Sequence, residues 1–263
     1  MSVTVRPSCA ARNAAAYPPV PPPITRRSWS DIGESYAALL SSAAMDIQLL
    51  VAATVGAYLA GSIPFGLIVA RLTGGPDPRS IGSGRTGGTN ALRALGRRRA
   101  AVVAAGDVLK GSLPVLAIQT MTASAAADTA NWWVVCAALF AVLGSTRSIW
   151  VGFKGGRGIA TGFGTAIAIA PLAIVAVAPI FFVLIWRTRL VSLGSLAAAA
   201  LFAPVSLGLE FSANGTIGTA LLLYSIVGPA LVWLAHADNI SRLRAGTERD
   251  FDPSLLQRDR TEQ

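Results

Sequence analysis

Apolar runs of membrane-spanning length alternate with short polar segments along most of the chain. They cover roughly 47–72, 100–122, 132–151, 162–186, 190–209 and 217–235. About 20 apolar residues cross the roughly 30 Å of bilayer hydrocarbon, and only a helix or a closed barrel satisfies its own backbone there. Each run therefore predicts membrane-embedded helix. The first contains Gly61-Ser62-Ile63-Pro64, and Pro64 removes a backbone hydrogen bond, so that helix is expected to kink. The N-terminal stretch differs. Pro18 to Pro23 reads P-P-V-P-P-P, which favours extended polyproline II. Residues 1–44 are expected to form a disordered Pro-rich extension, 45–249 the membrane domain and 250–263 a flexible tail. Met45 sits directly before the first run, so it reads either as a true start or as the residue after a dispensable extension.

Composition agrees with the pattern. The chain is 53% hydrophobic and 13% charged, whereas soluble domains carry about 25% charged residues. The net charge of +9 is no argument for nucleic acid, because Lys and Arg collect in the cytoplasmic loops of membrane proteins. The two cysteines, Cys9 and Cys136, imply no disulfide framework, and His236 is the single histidine. With no Cys/His cluster at metal spacing, neither a metal nor a cofactor is expected.

Charge sets the topology. The loop at 73–99 holds Arg79, Arg85, Arg93, Arg97, Arg98 and Arg99 against Asp77. Arg147, Lys154 and Arg157 surround the next basic segment, and Arg242, Arg244 and Arg249 follow the last run. All three regions should face the cytoplasm. Three runs lie between the second and the third, which is the wrong parity. Arg187-Thr188-Arg189 resolves it if the run at 162–186 goes in and returns, with Pro171 and Pro179 as sites for the reversal. The expected fold is an all-α polytopic membrane protein of about seven transmembrane helices. Two are short, the motif loops are cytoplasmic, the N-terminus lies outside and the C-terminus inside.

Three polar clusters carry candidate chemistry. Gly152 to Thr161 reads G-F-K-G-G-R-G-I-A-T. Glycines let successive amides turn toward one anion, and Lys154 and Arg157 add charge, so the stretch reads as a phosphate clamp. A flexible loop anchored to lipid headgroups is the equal alternative. Gly82-Ser83-Gly84-Arg85-Thr86-Gly87-Gly88-Thr89-Asn90, with Arg93, is the second cluster. The third is His236-Ala237-Asp238-Asn239-Ile240-Ser241-Arg242, continuing to Glu248, with His236, Asn239 and Arg242 near one helix face. Asp107 and Lys110 lie three residues apart inside the second run and can neutralise each other.

Taken in order, these blocks resemble the acyl-phosphate-dependent glycerol-3-phosphate acyltransferases of bacteria. The likeness rests on Gly61-Ser62-Ile63-Pro64, Gly82-Ser83-Gly84 with Thr89-Asn90 and Arg93, and Asp107-Val108-Leu109-Lys110-Gly111. It continues through Lys154-Gly155-Gly156-Arg157-Gly158-Ile159-Ala160-Thr161 and Asn239-Ile240 with Arg242-Leu243 and Gly246-Thr247-Glu248. It covers about 47–249. The resemblance implies seven helices in the bacterial inner membrane, with an active site facing the cytoplasm. It also implies transfer of an acyl group from acyl phosphate to the 1-hydroxyl of glycerol 3-phosphate, giving lysophosphatidic acid and phosphate. The chain departs from the family pattern at Arg85, usually Asn, at Gly88, usually Ala, at Ser145 and Ser148, usually His and Pro, and across Ala235 to Asp238, where two cations are missing. Arg85 and Arg147 are the expected replacements.

Residue type then assigns roles. Ser83, Arg93, Lys154, His236 and Asn239 are the expected catalytic residues. Gly84, Thr89, Asn90, Lys110, Gly155, Gly156, Arg157, Gly158, Thr161, Arg242 and Glu248 are expected to bind substrate. Lys154, Arg157 and the neighbouring amides hold one phosphate. Ser83, Asn90 and Arg93 hold the acyl phosphate or its oxyanion, while His236 and Asn239 orient glycerol 3-phosphate and Glu248 braces a cation. No side-chain base stands out, and the resemblance suggests that a substrate phosphate takes the proton. The His-x4-Asp pair of acyl-CoA acyltransferases is absent, since Ser241 occupies the fifth place after His236. The alternative from another class is a transporter or flippase for an anionic metabolite or lipid, for which broken helices and an intramembrane Asp107–Lys110 pair would also serve.

Overall fold

The computed structural model describes residues 26–123 and 126–252 and is helical throughout, with no strand among the described residues. The chain divides into two units, residues 1–48 and 49–263. Helix α1 (Arg26–Ser62) begins well before the first apolar run. The stretch from 26 to 44, expected to be unstructured, is therefore helical. It contains Ala37, Ala38, Leu39 and Leu40 and no proline, so Gly33 is its main local opposition to a helix. The Pro-rich segment at 18–23 lies outside the described residues.

In the larger unit, the expected kink is a full break. After α1 the chain turns at Ile63 and Pro64 and resumes as α2 (Phe65–Leu72), bent by 46°. Lys110 Nζ donates to Ile63 O at 2.9 Å and pairs with Asp107 at 2.6 Å. A cation thus serves a carbonyl exposed at the end of the first half-helix, and an intramembrane acid neutralises that cation. Next come α3 (Gly88–Leu95), α4 (Arg97–Met121) and α5 (Ala127–Thr146).

The run at 162–186 does reverse. It forms α6 (Ile159–Ile169) and α7 (Pro171–Thr188). Pro171 sits at the first position of α7, where its missing N–H costs nothing. Pro179 lies within α7 and does not break it. At 11 and 18 residues the two arms are about 17 and 27 Å long, so α6 is far too short to cross alone. Helices α8 (Val191–Asn214), α9 (Thr219–Ala235) and α10 (Ala237–Arg244) complete the chain. Among the described residues, four helices are long and apolar enough to span a membrane, and two bent pairs raise this to six, beside the short α6. Helix α10 is polar and turns by 64° from α9, so we end that span at Ala235. Exposed Leu172, Val175, Phe182 and Trp186 on α7 form an apolar face suited to lipid. The chain is a multi-pass membrane protein.

Close packing places α6. A Cβ on Gly111 of α4 would strike Thr161 O, and one on Gly164 of α6 would strike Val108 O. Glycine at both points lets the two backbones touch. That contact holds the N-terminus of α6 beside the loops preceding α3 and following α10.

Candidate active site

The three polar clusters, far apart in sequence, line one cleft of about 300 Å³. Ser83, Thr89, Asn90 and Arg93 come from the first loop and α3, and Lys110 from α4. Gly156, Arg157, Gly158 and Thr161 come from the second loop and α6, while His236, Asn239 and Glu248 come from the α9–α10 region. Gly84, Lys154, Gly155 and Arg242 do not line it. Among the described residues its cations are Arg85, Arg93, Lys110, Arg157 and Arg249, against the carboxylates Asp107 and Glu248. The excess suits an anionic ligand.

Arg157 sits at the centre. Its Nη1 donates to Ser83 Oγ at 3.2 Å and its Nη2 pairs with Asp238 Oδ2 at 3.0 Å. Ser83 Oγ also accepts from Asn90 Nδ2 at 3.0 Å. With two bonds accepted, one from a cation, the Ser83 hydroxyl keeps its proton to donate into the cleft; it is no activated nucleophile. Asn90 spends its amide on the loop: Nδ2 also donates to Arg85 O at 3.0 Å, and Oδ1 accepts from Arg93 Nη1 at 3.3 Å. It braces Ser83 and Arg93 while itself lining the cleft.

The second loop corrects two expectations. The clamp is not built from the Gly155 and Gly156 amides, which donate to Thr146 O at 3.2 Å and Ser145 O at 2.9 Å. Gly155 is needed because a Cβ there would collide with Ser145 O. Lys154 is exposed and is not among the residues that line the cleft, whereas Arg157 is. Gly158 caps α6 at φ 75°, a left-handed conformation that glycine adopts without strain. Ile159, Ala160 and Thr161 of the first helical turn all line the cleft. Thr161 Oγ1 donates to Ser145 Oγ at 2.9 Å.

His236 is buried at the bend after α9, and burial, helped by the Arg157 charge, outweighs the Val232 carbonyl and the carboxylates of Asp238 and Glu248 and pushes its pKa down to about 4. The ring is neutral near pH 7. Its Nδ1 lies 2.8 Å from Val232 O, and a carbonyl only accepts, so Nδ1 carries the hydrogen and Nε2 is left as an acceptor. Asn239 Nδ2 donates to Glu248 Oε1 at 2.8 Å, and Arg242 Nε to Glu248 Oε2 at 3.0 Å. Arg242 also reaches Asp238 at 3.3 Å. It is a strut between two acids, behind the cleft, and not the expected substrate ligand. Arg157 Nε, Asp238 Oδ1 and Asn239 Oδ1 are buried without a hydrogen-bond partner. An unpaired buried polar atom costs about 1–3 kcal/mol, and of these residues Arg157 and Asn239 line the cleft.

A second, apolar cavity of about 370 Å³ adjoins the cleft and shares Ala104, Ile159, Ala160, Phe181 and Ser195 with it. Its far end reaches Phe202 and Tyr224, packed edge-to-face with centroids 5.7 Å apart, and Tyr224 OH meets Thr165 Oγ1 at 2.8 Å.

The family model for glycerol-3-phosphate acyltransferase matches residues 51–246. The chain belongs to that acyltransferase family. Among its relatives, the glycerol-3-phosphate acyltransferase of Geotalea daltonii is 41% identical over 197 residues, 75% of this chain and 95% of that one. The Methylorubrum populi enzyme is 43% identical over 76% of this chain and 91% of its own. Two crystal structures of PlsY (YgiH), an integral membrane glycerol 3-phosphate acyltransferase, are similar at 32% identity, covering 79% of this chain and 98% of theirs. The glycerol 3-phosphate form gives a TM-score of 0.68 and the lysophosphatidic acid form 0.67.

For this family member, the sequence motifs found most of the cleft. They missed Asp238, which anchors Arg157, and the wall formed by Phe181, Ser192 and Ser195. Asp238 carries one sequence signal, the i,i+4 pairing with Arg242. The wall residues carry none. Arg85 lines the cleft, whereas Arg147 is exposed at the end of α5 outside it, so only one of the two expected replacement cations is at the site.

Proposed function

We propose that this protein transfers an acyl group from acyl phosphate to the 1-hydroxyl of glycerol 3-phosphate, releasing lysophosphatidic acid and inorganic phosphate. The supporting observation is the junction of a cationic cleft with an apolar cavity: one end suits phosphate groups, the other an acyl chain. Acyl phosphate is an activated mixed anhydride, so the site must screen phosphate charge, align the hydroxyl and stabilise a tetrahedral oxyanion. The glycerol oxygen forms an ester bond to the acyl carbon, the carbon–oxygen bond to phosphate breaks, and a phosphate oxygen takes the hydroxyl proton. Neutral His236 offers Nε2 as a hydrogen-bond acceptor that orients the glycerol 3-phosphate, without taking the proton of the attacking hydroxyl. Ser83 O–H and the first amides of α6 are the donors for the oxyanion. Arg157 and Arg93 hold phosphate.

In this reading the cleft faces the cytoplasm of a bacterium and the protein resides in its inner membrane, in keeping with the three basic segments that meet there. The test is purified protein in detergent with acyl phosphate and glycerol 3-phosphate, following phosphate release and lysophosphatidic acid. Turnover with acyl phosphate and not with acyl-CoA is expected. Comparable rates from acyl-CoA, or no turnover from acyl phosphate, would remove the reading.

A further inference from the structure

Two of the cleft cations differ from the rest in how they are held. Among the described residues, neither the Arg85 nor the Arg249 guanidinium makes a hydrogen bond or ion pair, yet both line the cleft. Each sits beside an anchored arginine. Arg157 donates to Ser83 Oγ, two residues before Arg85, and the Arg85 carbonyl is itself fixed by Asn90. Arg93 Nη2 donates at 3.4 Å to the carbonyl of Asp250, next to Arg249. The segment carrying Arg249 is pinned on both sides: Glu248 is held by Asn239 and Arg242, and Phe251 N donates to Arg189 O at 2.6 Å. The expected flexible tail from 250 therefore begins as a fixed strap that sets Arg249 against the cleft.

The result is two arginine pairs, Arg157 with Arg85 and Arg93 with Arg249. In each pair the second cation depresses the pKa of the first, beside the larger effect of burial. Asp238 offsets one charge of the first pair and Glu248 lies near the second, so each pair keeps an excess positive charge that suits a bound anion. Resting on the reaction proposed above, which brings two phosphate groups into one cleft, we infer that Arg85 and Arg249 complete two separate phosphate subsites. The Arg157–Arg85 subsite lies next to Ile159 and Ala160, where the cleft joins the apolar cavity. It takes the phosphate of the acyl donor. The Arg93–Arg249 subsite takes glycerol 3-phosphate.

The test uses the full-length enzyme with Arg85→Gln and Arg249→Gln. Arg85→Gln is expected to raise KM for acyl phosphate about tenfold and Arg249→Gln to raise KM for glycerol 3-phosphate about tenfold, each leaving the other KM within about twofold. Arg85→Lys and Arg249→Lys should restore most of the loss, since a point charge remains. Both variants shifting the same KM, the reversed pattern, or no shift above about twofold would overturn the assignment. A binding arm separates this inference from the reaction itself. Wild-type protein should bind two inorganic phosphates per chain and each Gln variant one, whether or not acyl transfer is observed. A single phosphate bound by the wild type would overturn the two-subsite arrangement.

Discussion

Arg157 and Asp238, 81 residues apart in the chain, meet at 3.0 Å and join the second polar loop to α10. The acid fixes one edge of the guanidinium and Ser83 another, while Nε is left buried and unpartnered. Lys154, three positions earlier, shares none of this. Arg157→Ala should therefore lose about 10- to 150-fold in kcat/KM, the worth of a charge-assisted hydrogen bond to phosphate. Lys154→Ala should stay within about threefold. Steady-state kinetics on both variants checks this, and equal losses would return Lys154 to the site. Asp238→Asn keeps the shape but loosens the anchor, so it should fall between the two.

Gly155 serves packing, because its amide is already bonded to Thr146 O and a side chain would strike Ser145 O. Gly155→Ala should destabilise the fold by about 1–3 kcal/mol through overpacking. The measurement is the thermal unfolding midpoint in detergent. An unchanged midpoint with a large rise in substrate KM would instead point to the amide nest expected from the sequence.

His236 is the single histidine of the chain, so histidine-selective isotope labelling reports it without assignment. Its pKa is lowered by burial to about 4. The folded protein should keep a neutral imidazole through the mildly acidic range and protonate only as pH falls toward 4. In the unfolded chain the group should titrate near the ordinary value of about 6.5. Since the folded pKa is the lower one, protonation opposes the folded state, and stability should drop as pH falls from about 6.5 toward 4. A folded-state midpoint near 6.5 in an NMR titration would contradict the buried, Nε2-accepting ring.

The reversal at Ala170 and Pro171 fixes sidedness. In a variant lacking Cys9 and Cys136, single cysteines at Gly87 and Thr188 should label from the same side, and one at Asn214 from the other. Opposite labelling of Gly87 and Thr188 by an impermeant thiol reagent would break the topology built on the short α6.

Much of this architecture was legible in the chain because bilayer thickness and backbone satisfaction leave few options for apolar runs. The break at Pro64, the reversal at Pro171 and the pairing of Asp107 with Lys110 each follow from local chemistry: a missing N–H, a missing N–H at a helix start, and an i,i+3 charge pair. The parity of basic segments even required the hairpin of α6 and α7. Motif residues of the cleft could be named because Gly, Ser, Asn and Arg are out of place beside apolar helices.

What the residues do once assembled depended on tertiary structure. Lys154 and Arg157 are alike in the sequence, yet one is exposed outside the cleft lining and the other meets Asp238, since distant neighbours decide which loop side chain finds a partner. Asn90 and Arg242 look like ligand contacts but spend their hydrogen bonds inside the protein. Ser192 and Phe181 carry no motif and reach the cleft only because α7 returns against α8. Periodicity and composition are local properties, so they determined the helices; hydrogen-bond satisfaction between remote segments is global, so only the folded chain decided which polar atoms remained for substrate.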